Sequence, residues 1–494
     1  MAVRLAFLLV SAERYIGMVV NLATTVIVAR LLRPDEFGLA FLGMSIWAVA
    51  EVVREAGITT YLVQQPRLTT AKVRTSFTIM LLLTLILAGC ITLAASYIAR
   101  FYAAPELQYY FYVIALCFLV GPFHQPIYAM WRREMAFATI ASIGVLTTTL
   151  NAAATILLAY LGFSFMSFAW ASVISATTGL LLYLLLWRDL SIYRFSLEDW
   201  REVVAFGGYD CAASVLYRVG EMLPYLILGR VLGAGAVGLY QRATTLCTLP
   251  ERTLLAGMIP VLLPAFAERA RKGQSLKQGY LRGIEYVTAV LWPALLALVI
   301  LAYPIVALLL GSQWTEVAPL VQIMAAAMLL WFQTNLTGPT LIAAGAIRHT
   351  FRLALITVSF SVGAQLLAAP YGLHAVALTM FVTVPVFVLV SVYLVRTHVQ
   401  IELREIAASM SKSAVVAGLS AIGPIVVALK AGATSDITMA GAAVAVALSA
   451  TGWIGGMWLT NHPLLNEIFR AMDGLARSPI GAYLPAGKWY RRQP

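Results

Sequence analysis

Apolar runs of about 20 residues, long enough to cross a bilayer as helix, alternate with short charged or Pro/Gly-containing turns along the chain. The run "SFTIMLLLTLILAGCITLAASYIA" at 76–99 is typical. It lacks the strict two-residue alternation of a barrel strand, so it predicts a transmembrane helix. The same pattern predicts spans at 11–32, 38–62, 76–99, 109–130, 138–161 and 166–187. A polar stretch, "RDLSIYRFSLEDWRE" (188–202), interrupts, and spans resume at 203–229, 237–264, 284–310, 317–344, 352–370, 374–395, 413–430 and 437–460. The expected fold is an all-α polytopic membrane protein of about 14 transmembrane helices.

The order of elements divides the chain into an N-terminal six-helix bundle (1–187), a connector (188–202), a second six-helix bundle (203–396), two additional helices (397–460) and a tail (461–494). The halves share an echo. "ARLLRPDEFGLA" at 29–40 returns as "GRVLGAGAVGLY" at 229–240, so that Arg30, Leu32, Gly38 and Leu39 are repeated as Arg230, Leu232, Gly238 and Leu239. Related halves are the usual construction of alternating-access transporters.

Composition supports the bilayer. Of 494 residues, 61% are hydrophobic and 11% charged, against about 25% charged in soluble domains, and mean hydropathy is +0.85. The charges also orient the chain, because Lys and Arg concentrate in cytoplasmic loops. With the N-terminus inside, about 24 basic residues, from Arg4 through the Arg269–Arg282 cluster to Arg492, fall on the cytoplasmic side and about five on the other (Arg30, Arg33, Arg100, Arg230, Lys430). This predicts an even number of spans with both termini cytoplasmic. It also assigns the net charge of +12 to loops facing anionic lipid, and no nucleic-acid motif accompanies it. The opening "MAVRLAFLLVSAERYIGMVV" reads as the start of the first span and not as a cleaved signal, since Glu13 and Arg14 follow the apolar run at once. In the tail, Leu464, Leu465, Ile468, Phe469, Met472 and Leu475 have helical spacing suited to a short helix on the membrane surface. The four cysteines, Cys90, Cys117, Cys211 and Cys247, form no ligand cluster and read as small lipid- or core-facing residues.

Removing loop charges leaves a small set at membrane depth: Glu51, Arg54 and Glu55; Asp210, Arg218 and Glu221; and Arg242, Glu251 and Arg252. Charge there demands a partner or a wet cavity, which makes these residues functional candidates. Spacings of three and four put Glu51, Arg54 and Glu55 on one helical face, and Asp210 and Glu221 are nearly eclipsed. The alternative is structural: Arg54 neutralises Glu51 and Glu55, and Arg218 neutralises Glu221. Arg30 and Arg230 read as helix C-terminal cations. His124, between Pro122 and Pro126, is either proton-responsive or a structural residue at a kink. No metal-ligand spacing, P-loop or large extramembrane domain is present, so no cofactor, enzymatic activity or ATP-driven transport by this chain alone is expected. A proton or sodium gradient, or the substrate's own gradient, is the expected energy source.

The motifs "ARLLRPDEFG", "VVREAGITTYLVQQPRLT", "ARFYAAPEL", "AMWRREMAF", "ILGRVLGAGAVGLYQRA", "GMIPVLLPAF", "LLGSQWTEVAPLVQIMA", "LIAAGAIRHTF" and "YGLHAVAL" occur in this order over roughly residues 10–400. Together they resemble the Wzx-type polysaccharide transport flippases, of the MOP exporter superfamily that also holds the MATE multidrug antiporters and the lipid II flippase MurJ. The resemblance implies two pseudo-symmetric, MATE-like six-helix bundles around a central cavity, plus two C-terminal helices. It implies a bacterial inner-membrane protein that moves an undecaprenyl-pyrophosphate-linked oligosaccharide repeat unit to the periplasmic leaflet for exopolysaccharide, capsule or O-antigen (lipopolysaccharide) assembly. Polysaccharide polymerase and chain-length regulator are the implied partners. One departure stands out: where relatives commonly carry an Asn/Asp pair before the "GR" of span seven, this chain has "VGEMLPYLILGR". Either Glu221 fills that polar role or the site has moved.

A glycan on pyrophosphate cannot cross hydrocarbon without substitutes for its hydration. Arg54, Arg218 and Arg242 are the candidates for the pyrophosphate, because guanidinium groups bind phosphate oxygens bidentately. Glu51, Glu55, Asp210 and Glu221 are the candidates for proton or sodium coupling. Two other readings remain: a cation-coupled multidrug antiporter of the same fold, and a membrane-embedded polysaccharide polymerase or ligase. The second would require a large periplasmic loop, which the span pattern does not leave room for.

Overall fold

A computed structural model describes the backbone of residues 2–55, 57–187, 189–255, 259–332, 334–467 and 469. Within these, the side chains of 2–11, 207–213, 254, 259–261, 263–265, 334–335, 347–348 and 351 are not described. The chain is an all-helical polytopic membrane protein. Its first half runs α1 (Ala2–Leu31), α2 (Pro34–Glu55), α3 (Ile58–Gln64), α4 (Thr70–Phe101), α5 (Leu107–Arg133), α6 (Phe137–Tyr160) and α7 (Met166–Leu186). The second half runs α8 (Trp200–Val231), α9 (Ala234–Leu254), α10 (Ile259–Arg271), α11 (Lys277–Ile300), α12 (Ala302–Leu309), α13 (Val317–Met328), α14 (Thr334–Ala343), α15 (Ile347–Ala368), α16 (Leu373–Leu378), α17 (Met380–Val399), α18 (Leu403–Ala431) and α19 (Met439–Leu459).

Eleven of the described spans are long and apolar enough to cross a membrane, against the 14 expected. The other three expected spans differ for identifiable reasons. The span expected at 203–229 is the helix α8, whose described part carries Arg218, Glu221 and Arg230. That at 237–264 is described as α9 and α10, with 256–258 between them outside the described residues, and that at 317–344 divides between α13 and α14. The span expected at 38–62 also breaks, at Gly57, whose φ of 66° ends α2 and starts α3. A residue without Cβ takes this left-handed conformation at little cost. Of the cysteines, Cys117 and Cys247 are buried and Cys90 is exposed. The Cys211 side chain and most of the expected tail helix, Ile468 and 470–475 included, lie outside the described residues.

The fold forms two compact units: residues 1–246 with 305–320 and 351–383, and residues 247–304 with 321–350 and 384–494. In the first, α4 packs on α5, α1 on α6, α6 on α7, α5 on α7 and α2 on α8. Thr69 caps α4 by accepting from Lys72 N (3.3 Å). The segment after α7 is pinned to the first-half helices: Arg74 Nε donates to Ser191 O (2.8 Å), Tyr193 Oη to Phe123 O (2.7 Å) and Thr75 Oγ1 to Glu198 O (2.7 Å). Lys72 Nζ lies 3.0 Å from the Glu202 carboxylate, which also accepts from Gln65 Nε2 (2.8 Å). The Lys72 ammonium holds Glu202 below the usual carboxylate range.

The echoed glycines meet within this unit. A Cβ on Gly38 would strike the Ala234 carbonyl, and a Cβ on Gly238 would strike the Pro34 carbonyl. The contact is reciprocal, 38 against 234 and 238 against 34, as at a two-fold axis. Two neighbouring contacts follow the same logic: Arg30 Nη2, at the end of α1, donates to Leu308 O (2.7 Å), and Arg230, at the end of α8, lies over Phe101 (5.0 Å).

In the second unit α18 packs against both α11 and α19. Gly452 and Gly456 of α19 bring its backbone against Leu419 and Val416 of α18, and Ser420 and Ser449 share a hydrogen bond (2.8 Å) beside them. Small residues and interhelical hydroxyl bonds are how helices associate where lipid removes the hydrophobic drive. Trp453 Nε1 donates to Ala289 O (2.8 Å) and Ser413 Oγ to Glu285 O (2.9 Å), tying both helices to α11.

Candidate functional site

The last turns of α2 carry Glu51, Arg54 and Glu55. Arg54 is 4% exposed and forms an ion pair with Glu51. Its guanidinium lies 5.8 Å from the Phe118 ring centroid and occupies the space a Cβ on Gly121 would need. Gly121 and Phe118 of α5 thus build the slot that receives the arginine. The Glu51 side chain is 35% exposed, Glu55 is half-buried, and the buried Arg54 Nε has no partner among the described residues. His124, one turn beyond Gly121, has its ring 5.5 Å from that of Tyr183. The result is one guanidinium and two carboxylates at the end of one helix, with donor capacity unused among the described residues.

On α8, Arg218 Nη1 and Glu221 Oε2 are 2.8 Å apart, with side chains 38% and 42% exposed. Gly220, between them, lies against Val358 of α15. The Asp210 side chain lies outside the described residues. Arg218 therefore does pair with Glu221, but in a half-exposed setting where such pairs are worth little stability.

Arg242 has a different environment. It is 3% exposed, stands 3.5 Å over the Phe37 ring centroid and 5.7 Å from that of Trp314, and its Nε has no partner among the described residues. No ion pair reaches it among the described residues. Trp314 is fixed by donating Nε1 to Ala29 O (2.6 Å), and Gln313 Nε2 donates to Leu32 O (3.1 Å). Phe37 and Arg54 lie at opposite ends of α2, about 25 Å apart by helix rise. The structure thus brings Glu51, Arg54 and Glu55 together and pairs Arg218 with Glu221, but places Arg242 at the far end of α2 from Arg54. Glu251 and Arg252 close α9 in its last turns.

Composition gave no notice of Phe37 and Trp314, because aromatic residues are common throughout a membrane chain. Their signal was the buried arginine without a carboxylate at helical spacing. Glu13, not among the candidate charges at membrane depth, lies on α1 within the span expected at 11–32.

Residues 27–319 match the family model described as polysaccharide biosynthesis protein. The chain belongs to this family of polysaccharide biosynthesis proteins, which is the Wzx-like group. It is 25% identical over 67% of its length to the lipopolysaccharide biosynthesis protein WzxC of Escherichia coli, covering 68% of that protein. It is 26% identical to the succinoglycan biosynthesis transport protein ExoT of Rhizobium meliloti, over 61% of each chain. With the teichuronic acid biosynthesis protein TuaB of Bacillus subtilis it shares 22% identity over 60% of its length and 62% of the relative. The chain therefore spans about three fifths to two thirds of these relatives. In fold it is similar to the lipid II flippase MurJ in an inward closed conformation (TM-score 0.74, 12% identity, 93% of this chain and 99% of that one). It is also similar to an inward-facing multidrug resistance MATE family transporter of the MOP superfamily (TM-score 0.62, 18% identity, 82% and 99%). The fold is MATE/MurJ-like, and the family members with named roles serve polysaccharide biosynthesis and transport.

Proposed function

We propose that this protein flips undecaprenyl-pyrophosphate-linked oligosaccharide repeat units across the bacterial inner membrane by alternating access, supplying exopolysaccharide, capsule or O-antigen assembly. The observation that carries the reading is the Arg54 slot: a buried guanidinium whose Nε has no partner among the described residues, beside two carboxylates, in a chain of the polysaccharide biosynthesis family. Pyrophosphate oxygens are the acceptors such a group lacks. Arg218 is the second proposed contact, since its half-exposed pair with Glu221 can exchange one anionic partner for another. Arg242, the third candidate for the pyrophosphate, lies under Phe37 and Trp314 and is given no cargo contact in this reading. Glu51, Glu55, Asp210 and Glu221 are proposed to couple transport to protons or sodium. When phosphate takes the guanidinium, Glu51 loses its counter-charge and its protonated or cation-bound form is favoured.

The proposed topology has α8, α9 with α10, and α13 with α14 crossing the membrane as well. This gives about 14 spans with both termini cytoplasmic, arranged as bundles 1–187 and 203–396 with two further helices in 397–460. A polymerase and a chain-length regulator are the proposed partners. In a deletion strain, lipid-linked repeat units are expected to accumulate on the inner leaflet, and plasmid-borne wild-type protein to clear them. Arg54→Glu and Arg218→Glu, expressed at normal level, are expected not to. Full export by both variants would remove these two residues from the cargo path, and drug resistance without any effect on polysaccharide would instead favour a multidrug antiporter.

A further inference from the structure

Glu13 lies on α1 (Ala2–Leu31), 18 residues before the helix ends. From Glu13 to the end of α1 at Leu31 the helix rises about 27 Å, nearly the full hydrocarbon thickness of about 30 Å. With the Leu31 end, flanked by Arg30 and Arg33, at one interface, this rise puts the Glu13 carboxylate at the headgroup boundary of the opposite leaflet. There an open groove of about 430 Å³ runs between α1 and α6, with Ile16, Ala141, Val145 and Leu146 among its walls. Gly144 of α6 leaves the space that the Glu13 carboxylate fills, since a Cβ there would meet Oε1.

Nothing described in the groove answers that carboxylate. The hydroxyls of Ser142 and Thr149 both donate back into their own helix, to Ala138 O and Val145 O (2.8 Å each). Arg14, the next residue, is exposed, and no ion pair to Glu13 forms among the described residues. Tyr183, within electrostatic reach of Glu13, is stacked on Trp131 (5.1 Å). A carboxylate at the edge of hydrocarbon calls for a compact cationic donor, and an apolar groove leading away from it calls for an acyl chain.

We propose that the α1–α6 groove holds a phospholipid with a primary-ammonium headgroup, its ammonium on Glu13 and an acyl chain along Ile16, Val145 and Leu146. A primary ammonium offers three N–H donors in a small volume. A quaternary ammonium has none, and an anionic headgroup is repelled. The assignment to the cytoplasmic leaflet rests on the orientation proposed above, whereas the site itself does not depend on the cargo.

The test uses the purified full-length protein in nanodiscs and measures retained lipid by native mass spectrometry, with thermal stability alongside. Equal mixtures of phosphatidylethanolamine, phosphatidylcholine and phosphatidylglycerol are the probe. Wild type is expected to retain phosphatidylethanolamine over each competitor by roughly tenfold, the size of one charge-assisted hydrogen bond. Glu13→Gln, which keeps the shape of the groove, is expected to lose that preference. Ser142→Ala, whose hydroxyl is already satisfied, is expected to keep it. Equal retention of the three lipids by wild type, or an undiminished preference in Glu13→Gln, would overturn the site. So would a Glu13→Gln variant that alters the pH dependence of transport while its lipid preference stays as in wild type, because Glu13 would then be a coupling group. A failure of flipping assays would leave this binding result untouched and would count only against the proposed cargo.

Discussion

Two arginines are buried at opposite ends of α2, and the fold accommodates them in opposite ways. Arg54 is paired with Glu51 and slotted against Gly121. Arg242 is held by the faces of Phe37 and Trp314 with no carboxylate in its ion-pair reach among the described residues. A guanidinium paired with carboxylates can trade partners with an incoming anion and pass the consequence to a titratable group. One covered by rings has no partner to trade, and responds only to movement of the rings. Burial alone does not identify a cargo site. What surrounds the charge decides.

The sharpest way to break this comparison is charge reversal at the paired end. Arg54→Glu would place three carboxylates within two turns of α2, and polysaccharide export is expected to fall below detection at normal protein level, measured by polymer yield. Glu51→Arg in the same chain should return part of it. Next in size is Gly121→Ala. Its Cβ would displace the Arg54 guanidinium, the mobile end of a long side chain, so we expect about 1 kcal/mol of lost stability but a several-fold loss of export. Equal losses in the two readouts would mean that the slot is only structural.

Arg242→Met should do far less. It gives up ring contacts worth about 2 kcal/mol but also removes the cost of burying an unpaired charge, so net stability is expected to change by about 1 kcal/mol or less. Export should stay within about twofold of wild type, and a collapse of export in this variant would show that the ring-bound arginine does contact cargo.

The smallest effect lies away from both ends. His462, after α19, is buried against Ser413 (3.2 Å) with Glu285 at 4.0 Å and Lys412 nearby. Burial, and then the Lys412 charge, lowers it to about 4 from an ordinary value near 6.5. An imidazole with a depressed folded value destabilises the fold once the unfolded chain takes up a proton that the folded chain refuses. Its contribution is thus unaffected above about pH 6.5 and is lost as pH falls from there toward 4. Melting temperature measured across that range should decline less in His462→Asn than in wild type.

Much of this was legible in the sequence because bilayer physics writes it there. Eleven apolar runs became membrane-length helices, and the spacing of Glu51, Arg54 and Glu55 placed them on one face before any coordinates. The echo at 29–40 and 229–240 pointed to Gly38 and Gly238, which pack against each other's neighbours. What the pattern missed has a common cause. The breaks at Gly57 and between α13 and α14 lie inside apolar runs, where hydropathy continues while backbone geometry changes. Gly121 and Phe118, which make the arginine slot, come from a different helix, so helical spacing around Arg54 could not reveal them. The same holds for Trp314, which lies far along the chain from the Arg242 it covers. Glu13 fell within the expected span 11–32 but, beside Arg14, was not counted among the charges at membrane depth.

In the proposed mechanism the Arg54 end handles a pyrophosphate-linked glycan and the Arg242 end does not. The most direct measurement is translocation of a purified undecaprenyl-pyrophosphate oligosaccharide across the membrane of vesicles carrying the full-length protein, read by accessibility of the glycan to an external glycosidase. Wild type and Arg242→Met are predicted to translocate at rates within about twofold, and Arg54→Glu not above protein-free vesicles. Translocation by Arg54→Glu at the wild-type rate would contradict the account.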